Sequence, residues 1–138
     1  MEQVNLVGAG IGGLAAFLLG GLWYSKAAFG KVWMRLTGLT PEQVSAAPMG
    51  RMLAVTIPLS FISALVFAAF VGREPGIAFA TAVGFAAGLF WVTAAFGISY
   101  TFEQRPFGLL LVNGGYHTVQ FTLYGFFIGL MNTVLPVS

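Results

Sequence analysis

Polar side chains are so sparse along this chain that its ten charged residues mark out its organisation. Between Glu2 and Lys26 lie 23 uncharged residues, between Arg51 and Arg73 lie 21, between Glu74 and Glu103 lie 28, and none of the last 33 after Arg105 is charged. A helix needs about 20 apolar residues to cross a hydrocarbon core of roughly 30 Å. Each interval therefore accommodates one crossing, and none comfortably holds two. The pattern predicts an all-α membrane protein, a four-transmembrane-helix bundle with spans near 4–25, 52–72, 76–101 and 107–131 in one domain over 1–138. The first span ends at Trp23-Tyr24 before Lys26 and lacks a basic leader, so it is expected to be retained rather than cleaved.

Within the spans, small residues recur every fourth position. Gly8, Gly12, Ala16 and Gly20 do so in the first, Thr56, Ser60, Ala64, Ala68 and Gly72 in the second, Gly76, Ala80, Gly84 and Gly88 in the third, and Gly125 and Gly129 in the fourth. Such rows form a smooth groove in which helix backbones approach closely, and in lipid that packing drives association. Gly8, Gly12, Gly20, Gly84 and Gly88 are the expected packing positions. The bundle should be compact, with little room for a bulky cofactor. Pro58, one or two turns inside the second span, removes a backbone donor and predicts a local bend.

The connection at 26–51 has a pattern of its own. Phe29, Val32, Trp33 and Leu36 fall on one helical face and Lys31 and Arg35 on the other, which predicts an amphipathic helix over about 27–38 lying flat at the cytoplasmic interface. It is either a linker packed under the bundle or an element that docks a partner. Thr40-Pro41-Glu42-Gln43 reads as a cap, a proline at the first helical position and a glutamine closing a capping box, so a second short helix should begin there. Trp23, Tyr24, Lys31 and Trp33 are read as interface anchors.

Composition narrows the class. Hydrophobic residues make up 58% and charged residues 7%, with a mean hydropathy of +0.90, against about a quarter charged for an ordinary soluble domain. Disorder, nucleic-acid binding and a soluble enzyme are excluded. The net charge of +2 reflects the positive-inside pattern. With the first and third connections in the cytoplasm, five of six basic residues lie inside and both termini face outward, in a single orientation. There is no cysteine and no aspartate. Thiolate chemistry, disulfides and paired carboxylates are therefore missing, no metal or cofactor is expected, and no buried acid is present of the kind small drug exporters use to exchange protons. Gly8, Gly10 and Gly13 match the dinucleotide-binding glycine pattern, but no strand precedes them, no acid lies between Glu2 and Glu42, and the helix after them is apolar all round.

The chemistry that remains lies in Asn113-Gly114-Gly115-Tyr116-His117-Thr118-Val119-Gln120. On a helix, Asn113, His117, Gln120 and Tyr124 form one narrow stripe, with Tyr116 beside it. Polar groups there are costly unless they face protein or water, so the stripe should point inward. His117 is the only histidine. It is a proton carrier, a ligand for a metal or tetrapyrrole, a donor to a small solute, or a neutral residue tied to Asn113, Gln120 and hydroxyls such as Thr56, Ser60 or Thr93.

Two runs resemble a known family. Gly21-Leu22-Trp23-Tyr24-Ser25, Phe29-Gly30-Lys31-Val32-Trp33-Met34 and Leu36-Thr37-Gly38-Leu39 are similar to the start of domain of unknown function family 1761, and Asn113-Gly114-Gly115-Tyr116-His117 resembles its Asn-Ala-Gly-Tyr-His segment with Gly114 in place of Ala. The resemblance implies a small bacterial inner-membrane protein of four helices, and no activity. It points to Trp23, Tyr24, Lys31, Trp33, Asn113, Tyr116 and His117 as the functional positions. Two functions are expected from the residues: a structural or accessory subunit that self-associates or joins a larger membrane complex, and a transport or solute-binding protein whose stripe lines a pocket or pore. An enzyme ranks third, for want of a catalytic set.

Overall fold

The computed structural model describes residues 4–72 and 75–136, and every regular element among them is helical. α1 spans Leu6–Trp23, and Asn5 caps it by accepting from the Gly8 amide at 2.8 Å. A turn leads to α2, Gly30–Thr37, which stops at Gly38 in the left-handed conformation (φ 76°). α3, Pro41–Ser45, starts with the full capping box between Thr40 and Gln43. α4 is Met49–Val71, with Pro58 inside it. α5, Ile77–Ala87, runs through a π-helical turn, Gly88–Thr93, into α6, Ala94–Phe102. α7, Phe107–Val134, is the longest helix at 28 residues. The Arg73-Glu74 connection and Glu2 lie outside the described residues.

Three helical rods are long and apolar enough to cross a membrane: α1, α4 and the continuous Ile77–Phe102 rod. α7 has the length but not the hydropathy, because it carries Asn113, His117, Gln120 and Asn132 besides several threonines. Of the four expected spans, three meet both length and hydropathy among the described residues, and the fourth, over 107–131, is helical. The short helix expected over 27–38 is helical only from Gly30, because residues 24–29 turn back toward the end of α1, with the Phe29 amide on the Trp23 carbonyl at 2.9 Å.

α7 is the hub. It packs against α1, α4, α5, the π turn, α6 and α2, while α1 also packs along α4. The most polar long helix is thus the most enclosed, which is where its polar groups cost least. The enclosure depends on absent side chains. A Cβ at Gly84 would run into the Phe121 carbonyl and one at Gly125 into the Ala80 carbonyl; Cβ atoms at Gly88 and Gly129 would come within 2.7 Å of the Cα atoms of Thr118 and Ile77. On the α1 side, Gly8 and Gly12 face the Ile128 and Tyr124 backbone, and Gly20 faces the Tyr116 ring. The core consists of Ala9, Ala16, Ala64, Phe67, Ala68, Ala87, Tyr124 and Ile128.

α4 joins this core only partway along. Its first buried residue is Ser60, and no residue over 49–59 is buried. Pro58 sits at the junction, unable to donate to the carbonyl four residues earlier. The first half of α4 therefore runs beside the bundle without packing into it.

Candidate functional site

The stripe on α7 divides into two arms. In the first, the Tyr124 hydroxyl donates to the Ser60 carbonyl at 3.0 Å and accepts from Gln120 Nε2 at 2.7 Å, while Ser60 Oγ donates to the Gly13 carbonyl at 3.0 Å. Tyr124, Gln120 and Ser60 are all buried, at 0%, 7% and 6% exposure. Every polar group in this arm has a partner, as burial requires.

The second arm is half-buried. The Tyr24 hydroxyl donates to Asn113 Oδ1 at 2.7 Å, and Asn113 Nδ2 donates to the Tyr100 hydroxyl at 2.7 Å. Tyr116 reaches back to α1, donating to the Ala16 carbonyl at 3.1 Å. Trp23 Nε1 donates to the Val112 carbonyl at 3.0 Å, and Trp33 lies edge-on to Tyr24 with centroids 5.6 Å apart. Trp23 and Tyr24, expected as anchors, thus turn inward and join the stripe, while Lys31 is exposed.

His117 links the arms. Its ring stacks on Phe96 at 5.1 Å and 12° and meets the Tyr116 edge at 4.9 Å, and Nδ1 is 2.6 Å from Gln120 Oε1. The direction of the hydrogen bonds fixes its tautomer. The Ser60 carbonyl can only accept and lies 3.0 Å from the Tyr124 hydroxyl, nearer than Ser60 Oγ at 3.4 Å, so Tyr124 donates there. The Tyr124 oxygen then accepts from the amide nitrogen of Gln120, which turns the amide oxygen toward His117. Nδ1 must therefore carry a hydrogen, and in the neutral ring Nε2 presents a lone pair. Nε2 has no partner among the described residues and is not a buried atom. In this arrangement the donor of His117 is taken by Gln120, and Nε2 is left as an acceptor. Of the expected ties, the one to Gln120 is direct and the one to Ser60 runs through Gln120 and Tyr124, while those to Asn113, Thr56 and Thr93 are not made. Asn113 pairs with two tyrosines, Thr56 bonds back to the Met52 carbonyl, and Thr93 bonds to the Gly114 carbonyl at 2.8 Å.

The π turn determines which side chains meet this arm. The face of the α5–α6 rod against α7 runs Ala80, Gly84 and Gly88, then steps five residues to Thr93 and on to Gly97, which abuts Leu110. The extra residue rotates Phe96 and Tyr100 off the direct contact line, so they meet His117 and Asn113 from the flank. Phe96 and Tyr100 were missed by the sequence pattern, which had placed Gly76, Ala80, Gly84 and Gly88 in register without the five-residue step.

No His, Cys, Asp or Glu cluster able to hold a metal occurs among the described residues. A cleft of about 510 Å³ lies elsewhere, between the end of α4 and α5, lined by Phe70, Val71, Phe79, Val83, Phe90 and Trp91 among others. It is apolar throughout and includes no member of the stripe.

Both motif regions meet at this cluster, Trp23–Trp33 from one and Asn113–His117 from the other. A family model described as protein of unknown function, DUF1761, matches residues 7–129. The chain belongs to the DUF1761 family. Neither a curated protein nor a solved structure matches it. Membership in DUF1761 brings no assigned activity. The DUF1761 chain presents at this cluster a hydroxyl, Tyr100, and an imidazole, His117, neither of which bonds to a charged side chain among the described residues.

Proposed function

We propose that this protein is a membrane-embedded binding protein, which holds a small neutral or weakly polar molecule against the half-buried arm of α7, within a transport or solute-binding role. One observation carries the reading. Along a single stripe, Gln120 and Tyr124 are buried and fully paired, whereas His117 is half-buried with a free Nε2. A stripe that served only as glue between helices would have its polar atoms paired along its whole length.

In this reading the chain crosses the bacterial inner membrane four times, with both termini outside. α7 is the crossing that the others wrap, and α2 lies amphipathically at the cytoplasmic surface with Lys31 and Arg35 toward water. The enclosure of α7 supports this, because its polar groups are covered by protein rather than lipid.

The alternative, a self-associating or accessory subunit, is favoured by α4. Residues 49–59 leave one helix-half free to pack on another chain. The glycine rows weigh less than expected for it, since Gly8, Gly12, Gly84 and Gly88 are all occupied by helices of the same chain.

Native mass spectrometry of protein extracted into nanodiscs separates the two. A bound small molecule on wild type that is lost from His117→Ala and kept by Lys31→Ala is the expected result. An empty protomer in both wild type and variant, together with a stable dimer, would favour the subunit reading instead.

A further inference from the structure

The chemistry around His117 narrows what such a molecule would be. Its Nε2 offers a lone pair, because Nδ1–H is committed to Gln120 through the chain that ends on the Ser60 carbonyl. An occupant must therefore bring a hydrogen-bond donor to that atom. The Tyr100 hydroxyl accepts from Asn113 Nδ2, and its own proton meets no acceptor among the described residues. An occupant must therefore also accept. Both groups border one ring: Phe96 stacks on His117 at 5.1 Å and lies 5.5 Å from Tyr100. A hydroxyl group both donates and accepts, which is the chemistry these two groups ask of an occupant.

The surroundings specify the rest of the occupant. Tyr24 and Tyr116 form one ring pair, 5.6 Å apart edge-to-face, Phe96 and Tyr100 form another at 5.5 Å, and His117 touches a member of each. Such rings favour another ring edge-on or offset. No charged side chain bonds to His117, Asn113 or Tyr100, and Glu103 and Arg105 just past Tyr100 pair with each other, so the occupant is neutral. Access is lateral. Tyr124 meets α4 at Ser60, and His117 lies seven residues earlier on the same side of α7, about 10 Å along the axis. α4 runs in the same direction as α7, because each lies antiparallel to α1: Ser60 bonds Gly13 and Ala68 shares the core with Ala9, while Tyr24 bonds Asn113 and Gly8 faces Ile128. The stretch of α4 level with His117 is therefore near Leu53, within residues 49–59 that bury nothing.

We infer that His117 and Tyr100 form the head-group site for an aromatic alcohol, a phenol or hydroquinone ring, reached from the side between the unpacked first half of α4 and the α6–α7 pair. This rests on the binding-protein reading and adds the ligand class to it. The ring hydroxyl donates to His117 Nε2 and accepts from Tyr100. A hydrocarbon tail, where the molecule has one, leaves along residues 49–59. Methylating the hydroxyl removes the donor, and a quinone carbonyl has none, so both should bind more weakly than the phenol.

The test uses the full chain in nanodiscs with imidazole-15N histidine. Since the chain has one histidine, each ring nitrogen gives an assignable signal. The probes are 4-octylphenol, 4-octylanisole, phenol without a tail, and 1-octanol. With 4-octylphenol, the Nε2 resonance is expected to move from its bare-imine position while Nδ1 stays protonated, with saturation about tenfold tighter than for 4-octylanisole, the difference one hydrogen bond makes. Tyr100→Phe should weaken 4-octylphenol severalfold without moving the free-state Nε2 signal. If the tailless phenol saturates as readily as 4-octylphenol, the source is an aqueous phenol; if only the tailed one does, it is a lipid-borne ring. Both results support the site. Equal binding of 4-octylphenol and 4-octylanisole would overturn it, and this comparison needs no variant to fold. A response to 1-octanol matching that of 4-octylphenol would overturn the aromatic class and leave the solute site at His117 standing. A still Nε2 signal with every probe, alongside a His117-dependent bound molecule by mass spectrometry, would do the same.

Discussion

Around Tyr124, α7 is enclosed from three sides: Gly12 of α1, Ser60 and Phe67 of α4, and Ala80 of α5 opposite Gly125 leave no gap and no unpaired polar atom on that side chain. Seven residues earlier, around His117, the same helix meets α1 through Tyr116 and α6 through Phe96, but α4 contributes no buried residue at that level. The two regions share a helix and a residue vocabulary of Tyr, Gln, Asn and His, and differ in one neighbour. Polar groups in a membrane need protein on all sides or a reason to be open. The first region is a closed clasp, and under the proposed function the second is where a ligand supplies the missing side.

Five substitutions test that contrast, beginning with the closed region. Gly125→Ala places a Cβ on the Ala80 carbonyl, where backbone cannot yield as a flexible side chain would. The loss should reach about 1–3 kcal/mol or more, as for overpacked cores. Gly10→Ala, with nothing within 4 Å, should be neutral or slightly stabilising, since helical alanine is favoured over glycine by roughly 0.5–1 kcal/mol. Thermal unfolding in mild detergent measures both. Equal melting of the two variants would mean that the close approach of α5 and α7 does not carry the fold.

Tyr124→Phe comes next. It keeps the ring against Phe67 and Phe121 but strands Gln120 Nε2 in a buried position, at a cost of about 1–3 kcal/mol. Asn113→Ala should cost less, roughly 0.5–1.5 kcal/mol, because Tyr24 and Tyr100 are half-buried and water can replace the lost amide. An Asn113 variant that melts below Tyr124→Phe would show that the half-buried arm is as structural as the buried one.

Much of this was legible in the sequence. Charge gaps delimit the helices because a charge within a span is costly, and the capping box at Thr40 is local chemistry that tertiary contacts leave alone. The inward stripe was legible because Asn113, His117, Gln120 and Tyr124 share a helical face. Three features were not legible. The π turn at Gly88–Thr93 has ordinary right-handed cap geometry at both ends and no proline or charge to betray it, yet it decides that Phe96 and Tyr100 flank the site. Past Arg51, the unpacked stretch over 52–59 reads much like the packed stretch after it, because a lipid-facing and a protein-facing helix carry the same residues. Asn5 pairs with Asn132 across 127 residues at 2.7 Å, and no periodicity links such distant positions.

The smallest stability effect should come from the residue with the strongest functional claim. His117→Ala removes the partner of Gln120 Oε1 and a stacked ring, but His117 is half-buried, and the space its ring vacates lets water reach the amide oxygen of the buried Gln120. The melting change should fall below that of Tyr124→Phe, within about 1 kcal/mol. The double variant His117→Ala with Tyr124→Phe decides how the arms relate. Gln120 bridges them, so once Tyr124→Phe has removed one of its bonds, the amide is free to turn and the second loss is no longer independent. A coupling of about 0.5 kcal/mol or more is therefore expected between residues that do not touch through hydrogen bonds. If His117→Ala alone costs as much as Tyr124→Phe, the stripe is one continuous clasp, and the open face beside α4 has no bearing on what His117 does.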